Sequence, residues 1–312
     1  MKYDIYFHND FDGRASAAIM LAFLENRGDT IERYTSMTYG KEKEWYKDNF
    51  FKKGNPAIVV DFTYHPKAAW WFDHHATAFK KPEWRKHFMP DAQHHLEPNY
   101  ASCAHLVYAV LKKEFSWNPP KHFAKFIEWA NKIDGAGYRS ARETIAMKDS
   151  GILMNSYVEA LPHTEREDKH MIRLMAEKPL DEVVEDPQIA RALRGLKKKV
   201  AKSMAFYKKN LKVFKHSTFV DVSRDPLHGL LRYVPYYLYP KSTYSIRMKQ
   251  KGKLWYLGVA ANPWRRSANK MDLGSLMREY HGGGHKDVGA TEFETRGEAM
   301  EAFQEINTLV NQ

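Results

Sequence analysis

The chain has 312 residues, of which 43% are hydrophobic, 14% aromatic and 28% charged. This composition excludes an intrinsically disordered chain, and the length allows one large domain or two of ordinary size. The formal net charge of +11 predicts a surface that attracts polyanions such as nucleic acids, nucleotides, polyphosphate or acidic membranes, without choosing among them.

Three features indicate a cytoplasmic protein. Cys103 is the single cysteine, so an internal disulfide is excluded and we expect a small buried side chain there. The first four residues, Met-Lys-Tyr-Asp, lack the regions of a signal peptide. No apolar run approaches the ~20 residues that cross a bilayer.

The first half of the chain alternates short apolar runs with helical patterns. Strands are predicted at residues 5–7, 30–38, 57–60 and 69–72. Helices are predicted at residues 14–26 (closed by Gly28), at 41–51, and twice between residues 100 and 133, on either side of Pro119-Pro120. Continuous apolar strands between helices are typical of a mainly parallel sheet flanked by helices.

The second half has a different pattern. An amphipathic helix is predicted at residues 188–214, with lysines on its solvated face. Strands at 218–222, 244–248 and 254–261, a helix at 273–280, a glycine turn at 282–284 and a helix at 296–310 follow. The sequence thus predicts an α/β protein with an N-terminal domain (1–187), a helical connector (188–214) and a smaller α/β C-terminal domain (215–312).

Acidic and histidine residues follow three of the predicted strands, and one more acidic residue follows a predicted helix. They are His8, Asp10, Asp12, Asp61, Asp73, His74, His75 and Asp134. The carboxyl ends of parallel strands meet at one edge of a sheet, where ligands bind. Alternate residues of a strand point the same way, so His8, Asp10 and Asp12 are expected to converge.

Carboxylates a few ångströms apart repel one another when they are ionised. Divalent cations relieve that repulsion, and mixed carboxylate and imidazole ligands suit Mn, Fe or Mg, with Zn as a further option. Asp10 and Asp12 taken alone are also typical turn residues. Together with the other acidic strand ends, they favour a metal site.

These motifs, in this order, resemble those of the DHH phosphoesterase superfamily, which includes nanoRNase and RecJ-like nucleases. The segment His281-Gly282-Gly283-Gly284-His285 resembles the glycine-rich motif of the substrate-binding domain associated with that superfamily. The resemblance therefore covers nearly the whole chain. One departure is the short spacing His8-x-Asp10-x-Asp12, since many members have a longer one.

The resemblance implies a site for two Mn²⁺ ions, with Mg²⁺ or another divalent metal as a substitute. One ion would be bound by His8, Asp10 and Asp61, and the other by Asp12, Asp61, His74 and Asp134. Asp73 would orient His74, and His75 would lie near the scissile phosphate. A water activated by the metals would then attack phosphorus.

Candidate substrate contacts lie in the C-terminal domain, where glycines let backbone N–H groups approach a phosphate and arginines bind it in bidentate fashion. They are Arg247, Arg265, Arg266, Gly283, Gly284 and His285, with Trp264 or Tyr280 as a stacking partner for a base. A second histidine pair, His94-His95, is expected in a loop without a catalytic role.

Three functions remain open at this stage. The first is hydrolysis of short single-stranded oligonucleotides or dinucleotides, in keeping with the basic charge and a two-domain length. The second is hydrolysis of pyrophosphate or polyphosphate, and the third is a non-catalytic nucleic-acid-binding or regulatory role. The expected partner is a short nucleic acid or nucleotide, no membrane is involved, and the oligomeric state stays open, with a homodimer included.

The sequence generates a kinetic prediction for Arg265 and Arg266. If these side chains only anchor phosphates, replacing both by glutamine removes binding that substrate and transition state share. KM should then rise more than kcat falls. Steady-state kinetics test this, and a fall in kcat with unchanged KM would contradict it.

Overall fold

A computed structural model describes residues 1–39, 44–47, 49–51 and 54–312. Its strands are β1 (Lys2–His8), β2 (Thr30–Met37), β3 (Ala57–Val60), β4 (Trp70–Asp73), β5 (His94–Leu96), β6 (Lys212–Val213), β7 (Ser217–Asp221), β8 (Tyr244–Lys251), β9 (Leu254–Ala261), β10 (Gly283–His285) and β11 (Val288–Phe293). Its helices are α1 (Phe11–Asn26), α2 (Pro82–His87), α3 (Cys103–Glu114), α4 (Phe123–Asp134), α5 (Ala141–Ile145), α6 (Ser150–Ala160), α7 (Glu165–Glu177), α8 (Leu180–Val183), α9 (Pro187–Asn210), α10 (Val234–Leu238), α11 (Leu273–Arg278) and α12 (Arg296–Val310), with a 3₁₀ helix at Pro263–Ala268.

The structure divides into two compact units, and the division falls within α9. The first contains Met1–Gly137 and Lys148–Ala192, and the second contains Tyr138–Met147 and Leu193–Gln312. The sequence did not indicate that residues 138–147 belong with the second unit, and the domain boundaries given above stay a prediction. None of the described helices has the length and apolar character needed to cross a membrane.

The first unit is built on a five-stranded sheet with the order β2-β1-β3-β4-β5, in which every pairing is parallel. The central strands β3 and β4 are buried along their whole length, as expected for a sheet covered on both faces. The second unit has a six-stranded mixed sheet with the order β10-β11-β9-β8-β7-β6. The α/β class predicted from the sequence is confirmed.

Helix α1 connects the sheet to the rest of the first unit. Most of its residues are buried, because an alanine-rich helix that is apolar on nearly all sides belongs inside a protein. The Asp10 side chain caps it by accepting a hydrogen bond from the Gly13 backbone N–H at 2.9 Å. A Cβ at Gly13 would lie 2.1 Å from the His8 carbonyl oxygen, so the turn between β1 and α1 requires glycine.

The core of the second unit forms between its sheet and α12. Phe219 of β7 and Phe303 of α12 stack with ring centroids 3.8 Å apart. Ile246 and Leu257 are fully buried beside them. Thr295 and Glu298 form a capping box that fixes the start of α12 at the residue predicted from the sequence.

Several predicted elements differ from the structure. The amphipathic helix ends at Asn210, and Lys212–Val213 then pairs with β7 as β6. The predicted loop at His94-His95 is the edge strand β5, and the predicted glycine turn contributes Gly283–His285 to strand β10. The predicted helix at 41–51 lies partly outside the described residues, and its described part forms turns and a bend.

A buried ion pair joins α1 to α7. The Arg14 Nε donates to Asp168 Oδ1 at 2.9 Å, and both side chains are almost fully buried. The Arg14 guanidinium also donates to the Asp10 backbone carbonyl at 3.1 Å. The pair therefore fixes the turn that carries Asp10.

Removal of one partner from this pair should be costly. Arg14→Met leaves the Asp168 carboxylate buried without its cation, and we expect the free energy of unfolding to fall by about 3–5 kcal/mol. Urea denaturation of Arg14→Met measures the loss. The double variant Arg14→Met, Asp168→Leu serves as the control and should recover most of it, whereas a loss below about 1 kcal/mol in the single variant would contradict the expectation.

Candidate metal centre

The carboxyl edge of the parallel sheet gathers the predicted metal ligands of the first unit. His8 is the last residue of β1, Asp61 directly follows β3, and Asp73 ends β4. Asp134 is the last residue of α4. The sequence therefore placed these residues at the ends of the elements that carry them.

The route by which Asp10 and Asp12 reach this edge differs from the prediction. Strand β1 ends at His8, so the alternation of a strand cannot orient the residues that follow. Asp10 is instead the N-cap of α1, and Asp12 lies in the first turn of that helix. The two carboxylates converge with His8 because the chain turns there, at the position that requires Gly13.

Asp61 is the centre of the cluster. It is 1% exposed, and its backbone adopts a positive φ of 57°, which non-glycine residues rarely do. Three imidazole nitrogens surround its carboxylate: His8 Nδ1 at 3.6 Å, His74 Nε2 at 3.7 Å and His75 Nδ1 at 3.6 Å. Among the described residues, neither Asp61 oxygen has a hydrogen-bond donor.

The ligand atoms form three overlapping groups, each spanning no more than 4.8 Å. They are His8, Asp10 and Asp61; Asp12, His74 and Asp134; and Asp61, His74 and His75. In the first, His8 Nδ1 lies 2.7 Å from Asp10 Oδ2. In the second, His74 Nε2 lies 3.2 Å from Asp134 Oδ2 and 3.7 Å from Asp12 Oδ2.

Helix α3 contributes an interaction that sequence reasoning missed. The Asp12 carboxylate accepts hydrogen bonds from the backbone N–H groups of Cys103 at 2.7 Å and Ala104 at 2.9 Å. These amides are the first two of α3, where a helix favours a negative charge. The signal that could have located this helix start is Ser102, which caps α3 through the His105 N–H. Cys103 itself is fully buried, as predicted.

The prediction that Asp73 orients the His74 ring is wrong. The His74 Nδ1 lies 3.0 Å from the Tyr100 carbonyl oxygen, so a backbone group orients that ring. Asp73 instead accepts hydrogen bonds from the His75 backbone N–H at 3.1 Å and its Nδ1 at 2.8 Å. A carboxylate at a strand end readily reaches the residue two positions on, and this turn holds Asp73 against His75.

Burial and mutual repulsion shift the pKa values of the cluster. Burial, together with Asp12 and Asp10, raises the pKa of Asp61 well above its usual value. Burial, Asp134 and Asp10 raise the pKa of Asp12 to about 7. Burial lowers the pKa of His74, but the hydrogen bond with Asp134 and the charge of Asp12 outweigh it and raise the pKa to about 9. The cluster by itself therefore retains protons that cations would displace.

These residues fit divalent metal ions. Oxygen and imidazole donors without thiolate suit Mn²⁺ or Mg²⁺, and Asp61, whose carboxylate has no hydrogen-bond donor among the described residues, belongs to two of the three groups. A buried carboxylate without a hydrogen bond is costly, and a cation removes that cost.

The predicted substrate contacts lie in the second unit. Gly283, Gly284 and His285 form β10, and Gly284 has a φ of 150°. A Cβ at Gly284 would lie 2.2 Å from the Val288 carbonyl oxygen. Gly284 thus has a packing role, whereas a Cβ at Gly283 would meet no atom within 4 Å. The His285 side chain is exposed.

The three predicted arginines have different surroundings. The Arg247 guanidinium donates to the Gly229 carbonyl oxygen at 2.8 Å and is partly buried. Arg265 donates to the Lys241 carbonyl oxygen, and Arg266 is exposed. Of these three, Arg266 is the most accessible to a ligand.

The two predicted stacking residues are each held by a hydrogen bond. The Trp264 Nε1 donates to the Tyr138 carbonyl oxygen at 2.8 Å, and its ring lines a surface cavity of about 370 Å³ together with Tyr237 and Arg142. The Tyr280 hydroxyl donates to Glu305 at 2.9 Å. Trp264 thus lines a cavity, and Tyr280 is tied to α12.

Solved structures supply the comparison with known proteins, since no family model and no curated protein matches the chain. A pGpG-specific phosphodiesterase, PggH from Vibrio cholerae, aligns with a TM-score of 0.75 at 18% identity, covering 99% of both chains. RecJ from Thermus thermophilus in complex with Mn²⁺ aligns with a TM-score of 0.60 at 14% identity. That alignment covers 97% of this chain and 51% of RecJ.

The DHH domain of a protein described as a member of a ribosomal-protein family aligns with a TM-score of 0.56 at 14% identity. It covers 97% of this chain and 86% of that one. The chain has the fold that these proteins share, one of which is a DHH domain. The resemblance inferred from the order of the motifs is therefore confirmed at the level of the fold.

The pKa shifts of the cluster predict that metal binding would release protons. At pH 7 the metal-free cluster holds a proton on His74, with its pKa of about 9, and in part on Asp12, with its pKa of about 7, and burial beside Asp12 and Asp10 raises the pKa of Asp61 as well. Mn²⁺ must displace these protons, so its apparent affinity should rise as the pH increases toward 9.

Calorimetric titration with Mn²⁺ in two buffers of different ionisation enthalpy counts the protons released. His87→Ala, which changes an exposed histidine on α2, is the matched control and should give the same count. Equal heats in the two buffers would show that no protons leave and would contradict this assignment of ligands.

Proposed function

We propose that the chain is a metal-dependent phosphodiesterase that hydrolyses dinucleotides or short single-stranded oligonucleotides. The observation that carries the proposal is the buried Asp61 carboxylate, which has no hydrogen-bond donor among the described residues and belongs to two of the three ligand groups. The likeness in fold to a pGpG-specific phosphodiesterase and to RecJ supports this class of substrate. The net charge of +11 favours polyanionic substrates.

In this proposal two divalent ions, Mn²⁺ or Mg²⁺, occupy the cluster. His8, Asp10 and Asp61 would hold one ion, and Asp12, Asp61, His74 and Asp134 would hold the other. When bound, such ions supply a water nucleophile of lowered pKa and neutralise charge on the phosphoryl oxygens. The α3 amides keep Asp12 in place, and the Tyr100 carbonyl fixes the ring of His74.

We assign contact with the reacting phosphate group to His75, and the orientation of the His75 ring to Asp73. The buried Asp73 accepts the Nδ1 proton of His75, so this ring presents its Nε2 on the opposite side. The His75 side chain is 36% exposed, and a substrate can therefore reach it. We assign it to a phosphoryl or leaving-group oxygen, to which the ring can donate a hydrogen bond while Asp73 holds its orientation.

Substrate contacts are also assigned to the second unit. Gly283, Gly284 and His285 are assigned to a phosphate through backbone and imidazole contacts, and Arg247, Arg265 and Arg266 through their guanidinium groups. We place the activity in the cytoplasm, where a single unpaired cysteine persists in reduced form.

Substrate choice is tested by a hydrolysis assay with Mn²⁺, in which a dinucleotide series, short single-stranded RNA and DNA, and tripolyphosphate are compared, each with a chelator control. Metal-dependent release of mononucleotides is the expected result. Phosphate release from tripolyphosphate alone would move the protein to the phosphoanhydride hydrolases, and binding without turnover would favour a non-catalytic role.

Variants of two proposed ligands test the site itself. Asp61→Ala and His74→Ala should each reduce turnover to background, because each removes a ligand that the proposed centre requires. Thermal unfolding should show that both variants keep the fold, since the sheet and α1 do not depend on these side chains. The control His87→Ala should keep full activity. Loss of the fold in both variants would instead indicate structural roles.

A further inference from the structure

An exposed aromatic ring stands beside the candidate metal centre. Tyr39 lies two residues after β2, and it is 36% exposed, which is unusual for a large side chain in this unit. Its ring centroid lies 4.8 Å from that of His8 and 6.3 Å from that of His75. It therefore borders two of the proposed functional histidines and remains accessible to solvent.

The position of the Tyr39 ring is fixed by a buried aromatic side chain on one of its faces. Tyr39 stacks on Phe62 with centroids 4.9 Å apart and an interplanar angle of 28°. Phe62 is fully buried and directly follows Asp61, so the support of the ring is part of the same turn that carries the central carboxylate. A ring held in this way loses little conformational entropy when a second ring stacks on it.

A cation lies next to this ring. The Lys80 Nζ is 5.9 Å from the Tyr39 ring centroid, and the Lys80 side chain is exposed. Among the described residues, no carboxylate forms an ion pair with it. At an exposed site a contact between an ammonium and a ring is worth only about 0.5–1 kcal/mol, so Lys80 can leave the ring at little cost to bind a phosphate.

We propose that Tyr39 and Lys80 form a nucleotide subsite, in which the Tyr39 ring stacks on a base and Lys80 binds the phosphate of that nucleotide. This inference rests on the proposed phosphodiesterase function and deepens it, because it selects substrates that carry a base. Pyrophosphate and polyphosphate offer no planar ring to Tyr39. A site built only for them has no use for an accessible aromatic surface beside the metal ligands.

The test compares a dinucleotide with two analogues that each lack one base. Stacking of a base on an aromatic side chain contributes enough to change affinity by roughly tenfold or more. We therefore expect the wild-type chain to favour the complete dinucleotide over one abasic analogue by about tenfold in kcat/KM, mainly through KM. Tyr39→Leu keeps the apolar contact with Phe62 but cannot stack, and it should remove this preference.

Two further variants measure the contribution of the Tyr39 ring separately from those of its hydroxyl and of Lys80. Tyr39→Phe should keep the preference for the complete dinucleotide, since it keeps the ring. Lys80→Gln should raise KM for the complete and abasic substrates by the same factor, because it removes only the phosphate contact. The matched controls are Tyr239→Leu and Lys253→Gln, which change a similarly exposed tyrosine and an exposed lysine of the second unit.

A uniform loss of activity in Tyr39→Leu on complete and abasic substrates would overturn the stacking role and leave Tyr39 a purely structural residue. A loss in Tyr39→Phe equal to that in Tyr39→Leu would also overturn it, because the hydroxyl would then carry the effect.

Equilibrium binding of phosphorothioate dinucleotides, which resist hydrolysis, distinguishes failure of the proposed function from failure of the proposed subsite. If the wild-type chain turns over no substrate but binds the complete analogue about tenfold more tightly than an abasic one, and Tyr39→Leu abolishes the difference, the subsite stands without the activity. Equal binding of complete and abasic analogues by the wild-type chain would reject the subsite, whether or not the chain is an enzyme.

Discussion

Repulsion among carboxylates brought together at the carboxyl edge of one parallel sheet is the constraint on which the first unit depends. Water would screen these charges, but burial removes it, and Asp61 is 1% exposed at the centre of the group. The protein can tolerate such a cluster only by holding protons or by binding cations. The raised pKa values of Asp61 and Asp12 are the first of these solutions, and divalent metals are the second.

The remaining interactions of the unit limit that repulsion without removing it. The α3 amides bind Asp12, and the His75 imidazole and backbone N–H bind Asp73. Arg14 acts one step further away, because its ion pair with Asp168 secures the turn that carries Asp10. None of these donors reaches Asp61 among the described residues. Asp61, whose oxygens accept no hydrogen bond from the described residues, is the carboxylate that our proposal assigns to both ions.

The fold and the substrate are separate questions in this protein. Likeness to solved structures at 18% identity or less defines the architecture, and unrelated substrates can be hydrolysed on one architecture. Substrate choice depends on side chains near the reacting phosphate. The accessible ring of Tyr39 and the ammonium of Lys80 lie close to His8 and His75, and for this reason we look there for discrimination between nucleotides and inorganic phosphates.

Local patterns were sufficient for much of the architecture. The apolar runs before Asp61 and Asp73 form parallel strands, the run from Arg296 to Val310 is a helix with the predicted ends, and Cys103 is buried. These features depend on residues near one another in the sequence, namely a continuous apolar segment and the polar residue that ends it. The order of the motifs along the chain, through its resemblance to that of the DHH phosphoesterases, was sufficient to predict the fold.

Contacts between distant segments decided the rest. Sequence reasoning assigned Asp73 to His74, but the Tyr100 carbonyl, 26 residues away, occupies that imidazole nitrogen. It placed Asp12 on a strand, whereas Asp12 binds the start of α3, more than 90 residues further along the chain. His94-His95 became an edge strand because β4 offered its unpaired backbone groups to it. In each case the partner is a backbone group whose position exists only after the chain has folded, so the sequence determined which ligands reach this edge of the sheet, and only the tertiary structure decided which groups hold them there.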